Sequence, residues 1–263
     1  MIGTLAFSLV MLVFSLVSMW WLNGTLPALV QKYREKAASS KGRVVTFSLG
    51  KRQFSFTINR EFWVREAFLI LGPSAVMGLS VAYAQILPLR VVFALFVLPA
   101  YIIMAVLGVL YPEWGKKAAI GFTAGVLATI VYDVVRLGLV IALGVPDPIP
   151  HIGTLWLGAD TIAHGDMWWV GYLWRFFGNG AGLGIAYAML PKIFFSLKGG
   201  WLYGDFVGMG MFAVLFFFPV AQLHLFILNF TVLVNGILGH WAYGLAIGWI
   251  FHKSKLIRQT FTK

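Results

Sequence analysis

Cysteine is absent from this 263-residue chain, and charged residues make up only 11% of it. The lack of cysteine excludes a disulfide framework, thiol catalysis and a cysteine-ligated iron–sulfur cluster. A soluble domain carries about 25% charged residues. Hydrophobic residues account for 60% of the chain. These proportions exclude an ordinary soluble protein and predict an all-α integral membrane protein.

Recognisable catalytic motifs are also missing from the sequence. The chain contains no phosphate-binding Walker loop, no Gly-x-Ser-x-Gly nucleophile elbow and no His-Glu-x-x-His zinc motif. The stretch "GNGAGLG" (178–184) has the glycines of a dinucleotide fingerprint, but it lies in an apolar segment and does not follow a strand. A non-catalytic protein is therefore the favoured interpretation.

Long apolar runs divide the chain into seven predicted membrane spans. Most of them exceed the ~18 residues that indicate a spanning helix. They cover residues 4–22, 64–86, 91–111, 118–143, 168–190, 203–221 and 226–251.

The few acidic residues and the distribution of the basic ones set the predicted topology. The chain has 20 Lys and Arg against 9 Asp and Glu. With seven spans, 17 of the 20 basic residues fall on one side, Arg90 falls on the other, and Arg136 and Arg175 lie within spans. Basic residues concentrate on the cytoplasmic side. The pattern predicts an inner (plasma) membrane protein with its N-terminus outside and its C-terminus in the cytoplasm, and it explains the positive charge without nucleic acid.

The cytoplasmic insert 23–63 is predicted to have structure of its own. "LPALVQKYREKAASS" (26–40) separates apolar from basic residues at helical spacing, which is typical of an amphipathic helix on a membrane surface. "RVVTFSLGKRQFSFTI" (43–58) alternates apolar and polar residues on both sides of a Gly-Lys-Arg-Gln turn, which predicts a β-hairpin. The hairpin is interpreted as a cap on the cytoplasmic face or as a docking surface for a partner.

Three parts follow from these patterns: residues 1–117 with three spans and the insert, a four-helix membrane core over 118–252, and a basic tail over 253–263. Gly-xxx-Gly pairs occur in each of the last four spans, at 121–125, 180–184, 204–208 and 244–248. Such pairs let helix backbones approach closely. They predict that the core contains two copies of a helix hairpin.

The stretches "GFTAGVLATIV", "GNGAGLGIAYAML", "GWLYGDFVG" and "ILGHWAYGLAIGWIF" resemble an uncharacterised family of small four-helix bacterial inner-membrane proteins. The resemblance covers residues 118–252. It includes a Gly-His-x-x-Tyr-Gly stretch in the last helix, matched here by Gly239, His240, Tyr243 and Gly244. It implies a fold and no activity.

Polar side chains inside the predicted core form the main candidate site. They are Asp133, Arg136, Arg175, Asn179, Asn235 and His240. Asp133 and Arg136 are three residues apart, so they share a helix face and are expected to pair, with Arg175 approaching from the next helix. The trio carries one net positive charge, which predicts an anion, a carbonyl group or water as a further partner. The alternative is a salt-bridge clasp between two helices.

Two further groups have weaker patterns. His240 is interpreted either as a hydrogen-bond donor to a carbonyl of a neighbouring helix or as part of the polar site. In the loop 144–167, Asp160, His164 and Asp166 have the oxygen and imidazole groups of a transition-metal site, although solvated loop polarity is the favoured explanation.

Two functions are favoured by these features, and a metal-dependent membrane enzyme that uses the loop 144–167 is a third, weaker alternative. The first is an accessory or structural subunit of a larger membrane complex, with lipids and other subunits or copies of the chain as partners. The alternative is a transporter or channel for a small polar or anionic solute that uses Asp133, Arg136, Arg175 and His240. No cofactor is assigned, although bound lipid is expected.

Overall fold

The structure is a computed structural model. It describes residues 43–49, 52–144, 147, 149–157, 168–218, 229–254, 257 and 260–261. The predicted first span (4–22) and the predicted amphipathic helix (26–40) lie outside the described residues.

A two-stranded antiparallel ribbon occupies the segment for which the alternating pattern predicts a hairpin. Strand β1 (Arg43–Leu49) pairs with β2 (Arg52–Ile58), and Leu49 stands opposite Arg52. Two residues, Gly50 and Lys51, lie between the strands in the sequence. Short connections with glycine are typical of hairpins because glycine adopts the backbone angles that tight turns require.

Helices make up the rest of the described chain. They are α1 (Arg60–Leu71), α2 (Ser74–Tyr83), α3 (Leu89–Leu110), α4 (Pro112–Leu143), α5 (Ile149–Leu157), α6 (168–189), α7 (Leu197–Phe217) and α8 (Phe230–Lys253). Two of them contain a wider π-helical segment, Phe93–Val97 in α3 and Trp174–Gly180 in α6. Side-chain caps define the starts of α7 and α8, where Ser196 Oγ accepts from the Gly199 amide and Asn229 Oδ1 accepts from the Val232 amide, both at 3.0 Å.

Among the described residues, five helical segments are long and apolar enough to cross a membrane, which indicates a membrane protein. They are Arg60–Tyr83, Leu89–Leu110, Pro112–Leu143, Leu197–Phe217 and Phe230–Lys253. Helix α6 has a similar length but is not one of the five. Its tryptophans and glycines, together with Arg175 and Asn179, make it less apolar. The count of seven spans stays a prediction.

The chain divides into two compact units. One contains residues up to Ala67 together with Ile102–Lys116, and the other consists of Phe68–Tyr101 and Lys117–Lys263. The second unit therefore includes residues 68–101 in addition to the four helices that the sequence groups together. Its core contains Tyr187, Phe251, Leu215 and Ile247, each at most 1% exposed.

Within the second unit, glycines bring α4 and α6 into backbone contact. A Cβ at Gly184 would lie 2.1 Å from the Gly121 carbonyl oxygen and 2.6 Å from the Gly125 Cα. A Cβ at Gly125 would lie 2.1 Å from the Gly180 carbonyl oxygen. Real Cβ contacts are never this short, so only glycine fits at these positions. The two backbones pack directly, as small residues at a four-residue spacing allow.

Helices α7 and α8 also pack directly through glycines. A Cβ at Gly200 would lie 2.2 Å from the Gly244 carbonyl oxygen, and a Cβ at Gly204 would lie 2.2 Å from that of His240. A Cβ at Gly248 would lie 2.5 Å from the Ser196 carbonyl oxygen. In both helix pairs, glycines therefore form the line of backbone contact, which we call a glycine seam. Whether the two pairs descend from one duplicated hairpin stays a prediction.

A matched pair of glycine substitutions tests the α4–α6 seam. We expect Gly184→Ala to destabilise the protein by about 1–3 kcal/mol, the usual cost of overpacking, because the new methyl group would push the helices apart. Gly138→Ala on α4 is the control, since nothing lies within 4 Å of its Cβ position. It is expected to be neutral or stabilising, because alanine favours helices more than glycine does. Thermal unfolding of both purified variants in a mild detergent measures the difference, and equal behaviour would contradict direct backbone packing.

Candidate functional site

The π-helical segment Trp174–Gly180 of α6 carries two of the predicted site residues, Arg175 and Asn179. A π turn inserts an extra residue into a helix, shifts its side chains and leaves carbonyl groups poorly bonded. Two tyrosines from other helices compensate. The Tyr101 hydroxyl donates to the Phe177 carbonyl at 2.9 Å, and the Tyr243 hydroxyl donates to the Gly180 carbonyl at 3.0 Å. The distortion at Arg175 is therefore held by hydrogen bonds from outside its own helix.

Asp133 is the centre of a buried ion cluster. Its Oδ1 atom accepts from Arg136 Nε at 3.0 Å and from Arg175 Nε at 2.7 Å. The side chains of the three residues are between 5% and 11% exposed. The structure thus places together the three charged residues that the sequence predicts to meet. An isolated charge at this position would be costly, and each bond offsets part of that cost.

Asp147 is a fourth member of the cluster that the sequence analysis did not assign to it. Its Oδ1 accepts from Arg136 Nη1 at 2.5 Å and from the Ile149 amide at 3.0 Å, and its Oδ2 accepts from the Tyr172 hydroxyl at 2.6 Å. The predicted net positive charge is therefore wrong, because two carboxylates balance two guanidinium groups.

The electrostatics of Asp147 support this balance. Partial burial opposes its ionisation, but the hydrogen bonds from Tyr172, Ile149 and Arg136 outweigh burial and lower the pKa of the carboxyl group below its ordinary value of 3.8. Asp147 is consequently ionised at neutral pH. The sequence does contain an indication of this role. Asp147 lies in "PDPIP", two residues before the start of α5, where a carboxylate can accept a hydrogen bond from a free backbone amide.

An aromatic ring links the ion cluster to His240. The Arg175 guanidinium lies over the ring of Tyr132, 4.1 Å from its centroid, which is a cation–π arrangement. The other contact of this ring is with His240, at 5.0 Å between centroids and nearly perpendicular. His240 Nδ1 lies 2.7 Å from the carbonyl oxygen of Gly236 and donates to it. The acceptor belongs to the same helix, so the prediction of a donor bond to a neighbouring helix is wrong.

A cavity of about 1020 Å³ opens beside these groups, and all of its lining residues belong to the second unit. Typical small-molecule pockets measure about 300–1,000 Å³. Most of the wall is apolar and comes from α2, α6 and α7, including Val76, Leu183, Leu190, Phe206 and Met211. The polar side chains of the lining are Ser80, Tyr83, Thr129, Tyr132, Arg136, Arg175, Asn179, Tyr203, Asn235, His240 and Tyr243. The cavity combines a mostly apolar wall with a polar region around Arg175, whose guanidinium group lies over the Tyr132 ring.

Several polar atoms in this region have no hydrogen-bond partner among the described residues. They include Oδ1 of Asn179, Oδ1 of Asn235 and Nη2 of Arg136. Arg136 is 4% exposed and Asn235 is 7% exposed, so neither is solvated at the protein surface. A buried polar atom that makes no hydrogen bond costs about 1–3 kcal/mol. The side chains beside the cavity therefore keep unused hydrogen-bonding capacity.

The predicted metal site falls outside the described residues, because Asp160, His164 and Asp166 all lie in 158–167. In the part of the chain that the structure describes, no group of three His, Cys, Asp or Glu side chains is arranged to hold a metal ion.

Comparison with known proteins gives no relative that would assign this site. No protein-family model, curated protein or solved structure matches the chain. The residues themselves are thus the basis for a functional assignment.

The charge balance of the cluster can be tested by removing one member. We expect Asp133→Asn to destabilise the protein by about 3–5 kcal/mol, because it leaves two buried guanidinium groups with one carboxylate. The double variant Asp133→Asn, Arg175→Gln restores a neutral cluster and is expected to recover a large part of the loss. Thermal unfolding in a mild detergent measures both. A double variant less stable than the single one would contradict the charge argument.

Proposed function

We propose that the protein is a non-catalytic multi-pass membrane protein that binds an amphipathic molecule, such as a lipid, in the cavity of its second unit. The observation that carries the proposal is the combination of a large apolar wall with one polar region that contains Arg175, Asn179 and Asn235. An apolar tail fits the wall, and a hydrogen-bonding head fits the polar region. Ligand sites generally join a mostly apolar lining to a few polar groups that fix orientation.

The ion cluster has a structural part in this proposal. Because Asp133 binds Arg136 and Arg175, it holds α4 against α6. The π-helical segment turns Arg175 toward the cavity lining as well as toward Asp133. The same residues can therefore both link the two helices by salt bridges and line a binding site. In this proposal Asp133 does not touch the ligand but positions the two arginines.

The topology belongs to the proposal. It has seven spans, the N-terminus outside and the C-terminus in the cytoplasm of a bacterial inner (plasma) membrane, with the hairpin of β1 and β2 on the cytoplasmic side. The distribution of basic residues supports this orientation. Membership of a larger complex, or assembly with further copies, stays a prediction, and co-purification of stoichiometric partners in a mild detergent tests it.

Lipid binding can be tested by filling the cavity. The protein purified in a mild detergent is expected to retain a lipid in about equimolar amount, detected by native mass spectrometry. Val76→Trp is expected to abolish this retention, because Val76 lines the cavity and the indole takes up its space. Val106→Trp on α3 is the matched control, since Val106 is 52% exposed and does not line the cavity. Retention by the Val76 variant, or loss from both, would count against the site.

A second candidate function is transport of a small polar or anionic solute. The interrupted α6 favours it, because transporters place their binding sites at broken helices and Arg175 lies in such a segment.

Flux through liposomes tests transport. We expect Arg175→Ala to abolish uptake of small anions such as phosphate or chloride, since it removes the cation of the distorted segment. Arg90→Ala is the control, because Arg90 is exposed and does not line the cavity. Unchanged flux in the Arg175 variant, or absence of flux from the wild-type protein, would reject transport and leave lipid binding as the function.

A further inference from the structure

Among the described residues, the charges around the cavity cancel. Arg175 binds Asp133, Asp133 binds Arg136, and Arg136 binds Asp147, so two cations alternate with two anions in one continuous chain of contacts. The hydrogen bond of His240 does not need a charge, since its Nδ1 donates to a backbone carbonyl, and a neutral imidazole makes such a bond. The described part of the polar region is thus neutral before any ligand binds.

Neutrality limits the kind of head that the cavity stabilises. An ionised head would bring a net charge into a poorly solvated region whose arginines are already paired, and such a charge is costly there. An uncharged head avoids this cost. It can also form hydrogen bonds with the polar side chains of the lining, because Arg175 donates, while the amide groups of Asn179 and Asn235 both donate and accept. A head that both donates and accepts hydrogen bonds matches this set.

The apolar wall indicates a long tail. Asn179, Leu183 and Ala186 line the cavity on one face of α6, and Leu190, just after the helix, lines it as well. From Arg175 to Ala186 is eleven residues, or about 16 Å at the rise of a helix. One leaflet of the hydrocarbon core is about 15 Å thick. The wall is therefore about as long as a single leaflet and accommodates an acyl chain.

From these observations we infer that the ligand is a long-chain amphiphile with an uncharged, hydroxyl-bearing head, the chemistry of a monoacylglycerol or a long-chain alcohol. This inference rests on the proposed function, and it adds the charge class of the head. Asp133 and Asp147 set the specificity, because they cancel the arginines that would otherwise attract an anionic lipid.

Two probes with the same tail test the inference. Monoolein has a neutral head with two hydroxyl groups, and oleate carries a carboxylate. The delipidated full-length protein in a mild detergent is titrated with each probe at a pH well above the ordinary pKa of a carboxyl group, and binding is followed by native mass spectrometry. We expect monoolein to bind at least about tenfold more tightly, a difference of about 1.4 kcal/mol.

A charge variant strengthens the test. Asp147→Asn leaves the cluster with one net positive charge and is expected to shift the preference toward oleate. Asp205→Asn is the matched control, because Asp205 binds Trp241 and does not line the cavity, and it is expected to keep the preference for monoolein. A preference for monoolein that is unchanged in the Asp147 variant would overturn the charge argument.

The outcomes separate this inference from the proposed function. Stronger binding of oleate than of monoolein by the wild-type protein would overturn the inference about the head and leave the amphiphile site in place. Failure of both probes to bind would overturn the proposed function itself.

Discussion

Mutual neutralisation of buried charges is the constraint on which the second unit depends. A charge among apolar helices costs several kcal/mol unless an opposite charge and hydrogen bonds accompany it. Asp133 faces two guanidinium groups, and Arg136 also binds Asp147. These contacts tie α4, the start of α5 and α6 to one another. The ion pairs that hold these helices together therefore also position the charged side chains of the candidate site.

Some of this arrangement was accessible from the sequence. The spacing of Asp133 and Arg136 predicts a shared helix face, and the Gly-xxx-Gly pairs predict close helix contact, because both follow from the 3.6-residue period of the helix. The approach of Arg175 was expected from its position on the next predicted span. In each case the spacing along one helix, or the order of the helices, indicates which residues can meet.

Other parts could not be obtained in this way. The π-helical turn at Trp174–Gly180 depends on hydroxyl groups of Tyr101 and Tyr243, which are far away in sequence. Asp147 lies between Pro146 and Pro148 in the sequence, outside the predicted spans, so no helical spacing relates it to Arg136. The cavity likewise arises from gaps between helices that each look continuous in sequence. Periodicity carries no information about such long-range features.

The glycine contacts have a consequence for how the helices can move. Where two backbones touch, no side chain lies between them that a change of rotamer could move aside. Within the pair α4 and α6, or the pair α7 and α8, separation therefore means losing the whole contact at once. We expect each pair to move as one rigid unit.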